Sequence, residues 1–125
     1  MRISFTDREL DVMSVLWDAG SATVAQVRDR LSDDLAYTTV LTVLRTLEQK
    51  GYVGHTGEGR AHRYHPLVKR AAAGRSALRR LLDKVFDGSA ELLLTQLVSE
   101  KKNLSDEELR RLRKLLTERL REKKP

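Results

Sequence analysis

Cysteine is absent from this 125-residue chain, proline occurs only twice, and aromatic residues make up just 5%. Without cysteine there is no disulfide framework, no thiolate metal site and no cysteine nucleophile. So few prolines leave long stretches open to helix formation, and the shortage of aromatics shifts core-building onto leucine and valine. No run approaches the roughly 18 apolar residues of a membrane-spanning helix, so membrane insertion is not expected. The opening Met1-Arg2-Ile3-Ser4-Phe5-Thr6 lacks the apolar stretch of a secretory signal. A soluble cytoplasmic protein is the expectation. Also missing are a glycine-rich phosphate loop, a nucleophile beside an evident base and a paired-carboxylate motif, so neither an enzyme nor a cofactor is expected. Asp33-Asp34 reads as a turn, and Glu107-Glu108 as a helix start favoured by the helix dipole.

Charge is plentiful but uneven. The formal net charge is +6, yet residues 1–65 hold 8 Lys+Arg against 9 Asp+Glu, while residues 66–125 hold 16 against 9. A basic surplus suits a nucleic-acid partner. Most of it, however, lies outside the segment whose residue spacing carries the argument below.

The pattern along the chain predicts six helices and one hairpin. Thr6-Asp7-Arg8-Glu9 fits a capping box, in which the Thr6 hydroxyl and the Glu9 carboxylate satisfy each other's backbone N–H groups, with Phe5 and Leu10 as a hydrophobic staple. Leu10, Met13, Leu16 and Trp17 recur at helical spacing until Gly20, with Trp17 read as a core residue. Thr23 and Gln26 repeat the capping device for a second helix, with Val24, Val27 and Leu31 as its stripe. A third helix runs from about Tyr37 to Lys50 and is stopped by Gly51. Then the period changes. Tyr52-Val53 and Arg60 to His65 are short strands around a turn containing Gly57 and Gly59, and Pro66 closes the unit.

Beyond Pro66 the pattern is helical throughout. Leu78, Leu81, Leu82, Val85 and Phe86 form one apolar face, and Leu92, Leu93, Leu94, Leu97 and Val98 a second, begun by Ser89. Leu109, Leu112, Leu115, Leu116 and Leu120 form a third, begun by a capping box at Ser105-Asp106-Glu107-Glu108. Three short helices bury only a thin core by themselves. A symmetry mate would cover their stripes, so Leu78, Leu81, Leu82, Val85, Leu93, Leu97, Leu109, Leu112 and Leu116 are the expected dimerisation residues. The expected division is therefore a reader domain over 1–66 and a helical dimerisation domain over 67–125.

The third helix is two-sided. With Thr38 at zero on a wheel of about 100° per residue, Thr42, Arg45 and Gln49 fall within about 40° of it, and Thr39 and Thr46 flank them. Val40, Val43, Leu44 and Leu47 take the opposite side. Four threonines in nine positions are poor helix formers, and a merely solvated face more usually carries Glu and Lys. Threonine is short enough to let a helix approach bases, and its methyl suits thymine; Arg45 suits a guanine edge or a phosphate, and Gln49 an adenine. The row Thr38, Thr39, Thr42, Arg45, Thr46 and Gln49 is thus the candidate DNA reader. Lys50, Arg60, His62 and Arg63 are the flanking candidates, with Lys50 and Arg63 for phosphates, while Tyr64 is expected to anchor the hairpin to the core. A helix-turn-helix followed by a two-stranded wing is a coherent plan for binding double-stranded DNA.

Particular runs of residues sharpen this. Thr6 to Trp17, Thr23-Val24 with Val27, Ala36-Tyr37-Thr38-Thr39-Val40 with Thr42 and Leu44, Leu47-Glu48-Gln49-Lys50-Gly51, and Arg60-Ala61-His62-Arg63-Tyr64 together resemble the penicillinase-repressor (BlaI/MecI/CopY) family of winged-helix regulators. The resemblance runs from Thr6 to Tyr64 and resumes weakly from Leu104 to Leu116. It implies a homodimeric repressor on an inverted-repeat operator, with the third helix in the major groove and intertwined C-terminal helices. Relatives carry a basic residue just before the leucine matched by Leu47; here that place is Thr46, and Arg45 precedes it. The copper-responsive branch has a C-terminal cysteine cluster that this chain lacks. In the β-lactam-responsive branch a regulatory membrane protease cuts an Asn-Phe bond. The corresponding stretch, Thr95-Gln96-Leu97-Val98, has no such pair, so a protease partner would need altered specificity.

Two alternatives make different demands. A protein-interaction winged helix would show an apolar or acidic row on the outer face of the third helix. A histidine-based metal-responsive regulator would draw on His55, His62 and His65, but on one strand positions 62 and 65 point to opposite faces, so no metal site is expected there.

Overall fold

Thr6 begins the first helix as its pattern predicts. In the computed structural model, which describes residues 3–57 and 62–122, the Glu9 N–H donates to Thr6 Oγ1 and the Thr6 N–H to Glu9 Oε1, at 3.1 and 2.8 Å. Helix α1 spans Asp7–Ala19, and Gly20, at φ 83°, closes it with an N–H to the Leu16 carbonyl. Leu10 keeps 38% of its surface exposed, while Phe5 packs against Tyr52 and Trp17 at centroid distances of 4.7 and 6.2 Å. The chain thus enters α1 over an aromatic trio, not over the expected Phe5–Leu10 staple alone.

A two-residue strand, β1 (Ala22–Thr23), leads into α2 (Val24–Arg30), which carries the second capping box at Thr23 and Gln26. Next come α3 (Tyr37–Gln49), β2 (Val53–Thr56) and β3 (Arg63–Pro66). The sheet is antiparallel in the order β1-β3-β2, with Ala22 opposite Tyr64, Thr23 opposite Arg63 and His55 opposite Tyr64. The sequence pattern predicted only the two wing strands. β1 was hidden because Thr23 reads equally well as a helix cap.

Val12, Met13 and Leu16 from α1, Val27 from α2, Val40, Leu44 and Leu47 from α3, and Val53 and Tyr64 from the sheet are almost wholly covered, forming one core. Helix α4 (Arg70–Lys84) follows. Its start is tied to α1: Trp17 Nε1 donates to the Val68 carbonyl at 2.8 Å, and Arg70 lies over the Trp17 ring while pairing with Asp18 at 2.9 Å. Ser76 Oγ donates to the Ile3 carbonyl at 2.9 Å.

The chain divides into two compact units, Met1–Leu78 and Arg79–Pro125. The second holds the end of α4, then α5 (Ala90–Ser99) and α6 (Asp106–Glu122). Ser89 caps α5 by accepting from the Leu92 N–H, and Ser105 and Glu108 exchange the two bonds of the capping box expected for α6. No helix among the described residues is long and apolar enough to cross a membrane.

Candidate functional site

Helix α3 keeps the two sides expected of it. Val40, Leu44 and Leu47 are fully buried, whereas Thr38, Thr39, Thr42, Arg45 and Gln49 are exposed and Thr46 is half-buried. The threonines also settle their own geometry. Thr42 Oγ1 donates to the Thr38 carbonyl at 2.9 Å, and Thr46 Oγ1 to the Thr42 carbonyl at 3.0 Å. Those hydroxyl hydrogens are committed to the main chain, so toward an outside partner these oxygens can only accept. Arg45 and Gln49 make no side-chain hydrogen bond or ion pair with any described residue.

Lys50, expected to reach a phosphate, has a partner within the chain. Its ammonium binds both oxygens of Glu9, at 2.9 and 2.8 Å, joining the end of α3 to the start of α1. Glu9 is only 4% exposed. Burial alone would push its carboxyl up, but the Lys50 ammonium and the Thr6 N–H outweigh that and hold it below the ordinary glutamate range. Sequence reasoning read Glu9 as a cap and no more. Its ion-pair partner stands forty-one residues away, where no local pattern reveals it.

On the wing, Arg63 is exposed and its guanidinium lies beside Gln26 and Ser21. His62 is half-buried, with its ring 4.3 Å from that of His55, while His55 Nδ1 is 2.6 Å from Glu48 Oε2. His65 lies apart from this pair: its Nε2 would stand 3.0 Å from a Cβ added to Gly54. Among the described residues no three His, Cys, Asp or Glu side chains are grouped to hold a metal ion. Tyr64, 2% exposed, is the core anchor of the wing, and burial pushes its phenol above the ordinary range. Arg60 lies outside the described residues.

The expected dimerisation residues are unevenly covered by their own chain. Leu78, Leu81, Val85, Leu97, Leu109 and Leu116 are exposed, and Leu82 and Leu112 half-buried. Leu93, at 8% exposure, is covered within the single chain.

A helix-turn-helix whose outer helix is backed by a three-stranded antiparallel wing defines a winged-helix protein. The sequence model of the penicillinase repressor family matches residues 5–118, and the chain belongs to that family. It is 29% identical over 121 residues to the penicillinase repressor of Bacillus licheniformis, covering 95% of this chain and 94% of that protein. It is 48% identical over 64 residues to the transcriptional regulator BlaI of Mycobacterium tuberculosis; that match spans 49% of this chain and only 46% of the BlaI length. Among solved structures, the DNA binding domain of the repressor BlaI aligns with a TM-score of 0.50 at 32% identity, covering 58% of this chain and 93% of that domain.

Proposed function

We propose that this chain is a transcriptional repressor that binds an inverted-repeat operator in double-stranded DNA as a homodimer. The observation that carries the reading is the division of α3 into a locked aliphatic side and an exposed row of Thr38, Thr39, Thr42, Arg45 and Gln49, with Thr46 at its edge. That row enters the major groove. Thr42 and Thr46, as acceptors that also carry a methyl, suit a base that donates or a thymine methyl, while Arg45 suits guanine. Arg63, Arg60 and His62 serve the phosphate backbone and the wing. Lys50 acts first as the partner of Glu9 and positions α3 rather than reaching for DNA.

The first unit reads DNA and the second holds two copies together through the leucine faces, which remain uncovered in one chain. Two linked half-sites bind far more tightly than one, so a signal that loosens the dimer releases the operator. The match to the B. licheniformis repressor over nearly the whole of both chains supports this assignment.

A gel shift with the DNA upstream of the gene, against a shuffled duplex, tests the reading. The wild type should favour the upstream duplex, and Arg45→Ala should lose about tenfold of that preference, in line with one bidentate base contact. Equal binding to both duplexes, or to neither, would overturn it. Preferential binding of a protein to the α3 face would favour the interaction-module alternative.

A further inference from the structure

We propose that Gln26, with Ser21, is a positioning residue that presets the Arg63 guanidinium as a phosphate clamp between the wing and α2. The proposal rests on the DNA-binding reading above and adds to it a residue outside the recognition helix.

The sheet register brings the groups together. Arg63 on β3 pairs with Thr23 on β1, directly before α2, so its side chain lies over the turn that carries the second capping box. There Arg63 Nη1 donates to Gln26 Oε1 at 3.2 Å and approaches Ser21 Oγ at 3.5 Å. The same Gln26 oxygen accepts the Thr23 N–H at 2.9 Å. One carbonyl oxygen therefore closes a helix cap and orients a guanidinium. Arg63, Gln26 and Ser21, with Arg30 and Asp18, line an open notch. Arg30 makes no ion pair with any described residue, and the Asp18 carboxylate is already paired with Arg70 at 2.9 Å.

The character of the partners points to an anion. Elsewhere among the described residues of the first unit, arginines that pair do so with carboxylates: Arg8 with Asp33 and Asp11, Arg28 with Asp29, Arg70 with Asp18. Arg63 is held by neutral oxygens alone. An amide fixes the direction of the fork without cancelling its charge, so the other N–H groups stay available to a phosphate. Holding the long side chain beforehand lowers the ordering cost of binding.

The test is a double-mutant cycle on the full-length protein, read by fluorescence anisotropy with a labelled mixed-sequence duplex over a range of salt concentrations. Arg63→Ala should weaken binding about tenfold and lower the salt slope by about one. Gln26→Ala should weaken binding about fivefold, leave the salt slope unchanged, and have no further effect once Arg63 is alanine. Thr23→Ala, which removes only the other half of the cap, should lower thermal stability but not affinity. Gln26→Glu can still accept both hydrogen bonds while neutralising the guanidinium, so it should keep the melting temperature and lose about one from the slope; it carries the test if Gln26→Ala unfolds. Additive losses from Gln26→Ala and Arg63→Ala would reduce Gln26 to a helix cap and overturn the proposal. So would a wild-type response from Gln26→Glu. In either case a wild type that binds its upstream DNA leaves the DNA-binding reading standing, whereas a wild type that binds no duplex removes both.

Discussion

The two units of this protein use the same amphipathic code and reach opposite degrees of coverage. In the first, Val12, Met13, Leu16, Val40, Leu44 and Leu47 close on one another and on Tyr64. In the second, α5 and α6 are as rich in leucine, yet Leu93 alone among its described residues is buried, and Val85 and Leu120 stand 67% and 71% exposed. An apolar stripe says that a helix face wants to leave water. It does not say which chain will cover it. The wing and the aromatic trio of Phe5, Trp17 and Tyr52 supply the first unit with cover from its own sequence. Among its described residues the second unit has no such sheet or aromatic trio, and a second copy is the cover we propose.

The strongest way to break this contrast is to charge the uncovered stripe. Leu81→Glu combined with Leu116→Glu should turn a dimer into a monomer at micromolar concentration, read by sedimentation equilibrium. It should also weaken operator binding about a thousandfold, since each half-site then binds alone. The first unit should melt unchanged. A double variant that stays dimeric would show that these faces are covered in some other way.

Truncation inside the first unit should act where the charge change does not. Leu44→Ala removes a fully buried side chain and should lower the stability of that unit by about 3 kcal/mol in urea unfolding. Leu120→Ala, at an exposed position, should move it by less than about 0.5 kcal/mol. Similar losses from both would mean that the units share one cooperative core.

The same contrast separates what was legible in the sequence from what was not. Local patterns carried well: the capping boxes at Thr6, Thr23 and Ser105, the six helices and the two sides of α3 each depend on residues three or four apart. Pairings across the fold carried poorly. β1 looked like part of a cap, because its partner β3 is remote in sequence. Lys50 reads from sequence as a phosphate contact, because Glu9 is buried only once α1 and α3 have packed. In the sequence Gln26 shows only its capping role, and the register of Thr23 against Arg63 reveals its second bond. Strand alternation speaks only to His62 and His65, whereas the structure sets the His55 ring against that of His62 across the hairpin.

The Glu9–Lys50 pair gives a prediction with a sign. Lys50→Met leaves a buried carboxylate without its ammonium and should cost about 2 kcal/mol at neutral pH, the lysine's partial exposure moderating a larger loss. In the wild type the Glu9 carboxyl is held below its unfolded value, so its contribution is full above the ordinary glutamate range and fades as pH falls through the folded value. In the variant only the Thr6 N–H still opposes burial, so the protonated acid is favoured more than in the wild type. The gap between the two proteins should therefore narrow as pH falls through the ordinary glutamate range toward the lowered value of the wild type. Chemical unfolding at several pH values measures it. A gap independent of pH would assign the loss to the lysine stem rather than to the ion pair.

The smallest effect compares the units at matched sites. Thr6 and Ser105 each begin a helix with the same reciprocal pair of bonds, to Glu9 and to Glu108. Thr6→Ala should cost the first unit about 1 kcal/mol, because α1 is locked into the core and a looser start is felt by everything packed on it. Ser105→Ala frees a turn that carries no buried residue, so it should quicken amide exchange over the first turn of α6 and leave the melting of the first unit where it was. If both substitutions lowered a single shared transition, the units would unfold as one body, and the exposed leucines would have to be explained without a second copy.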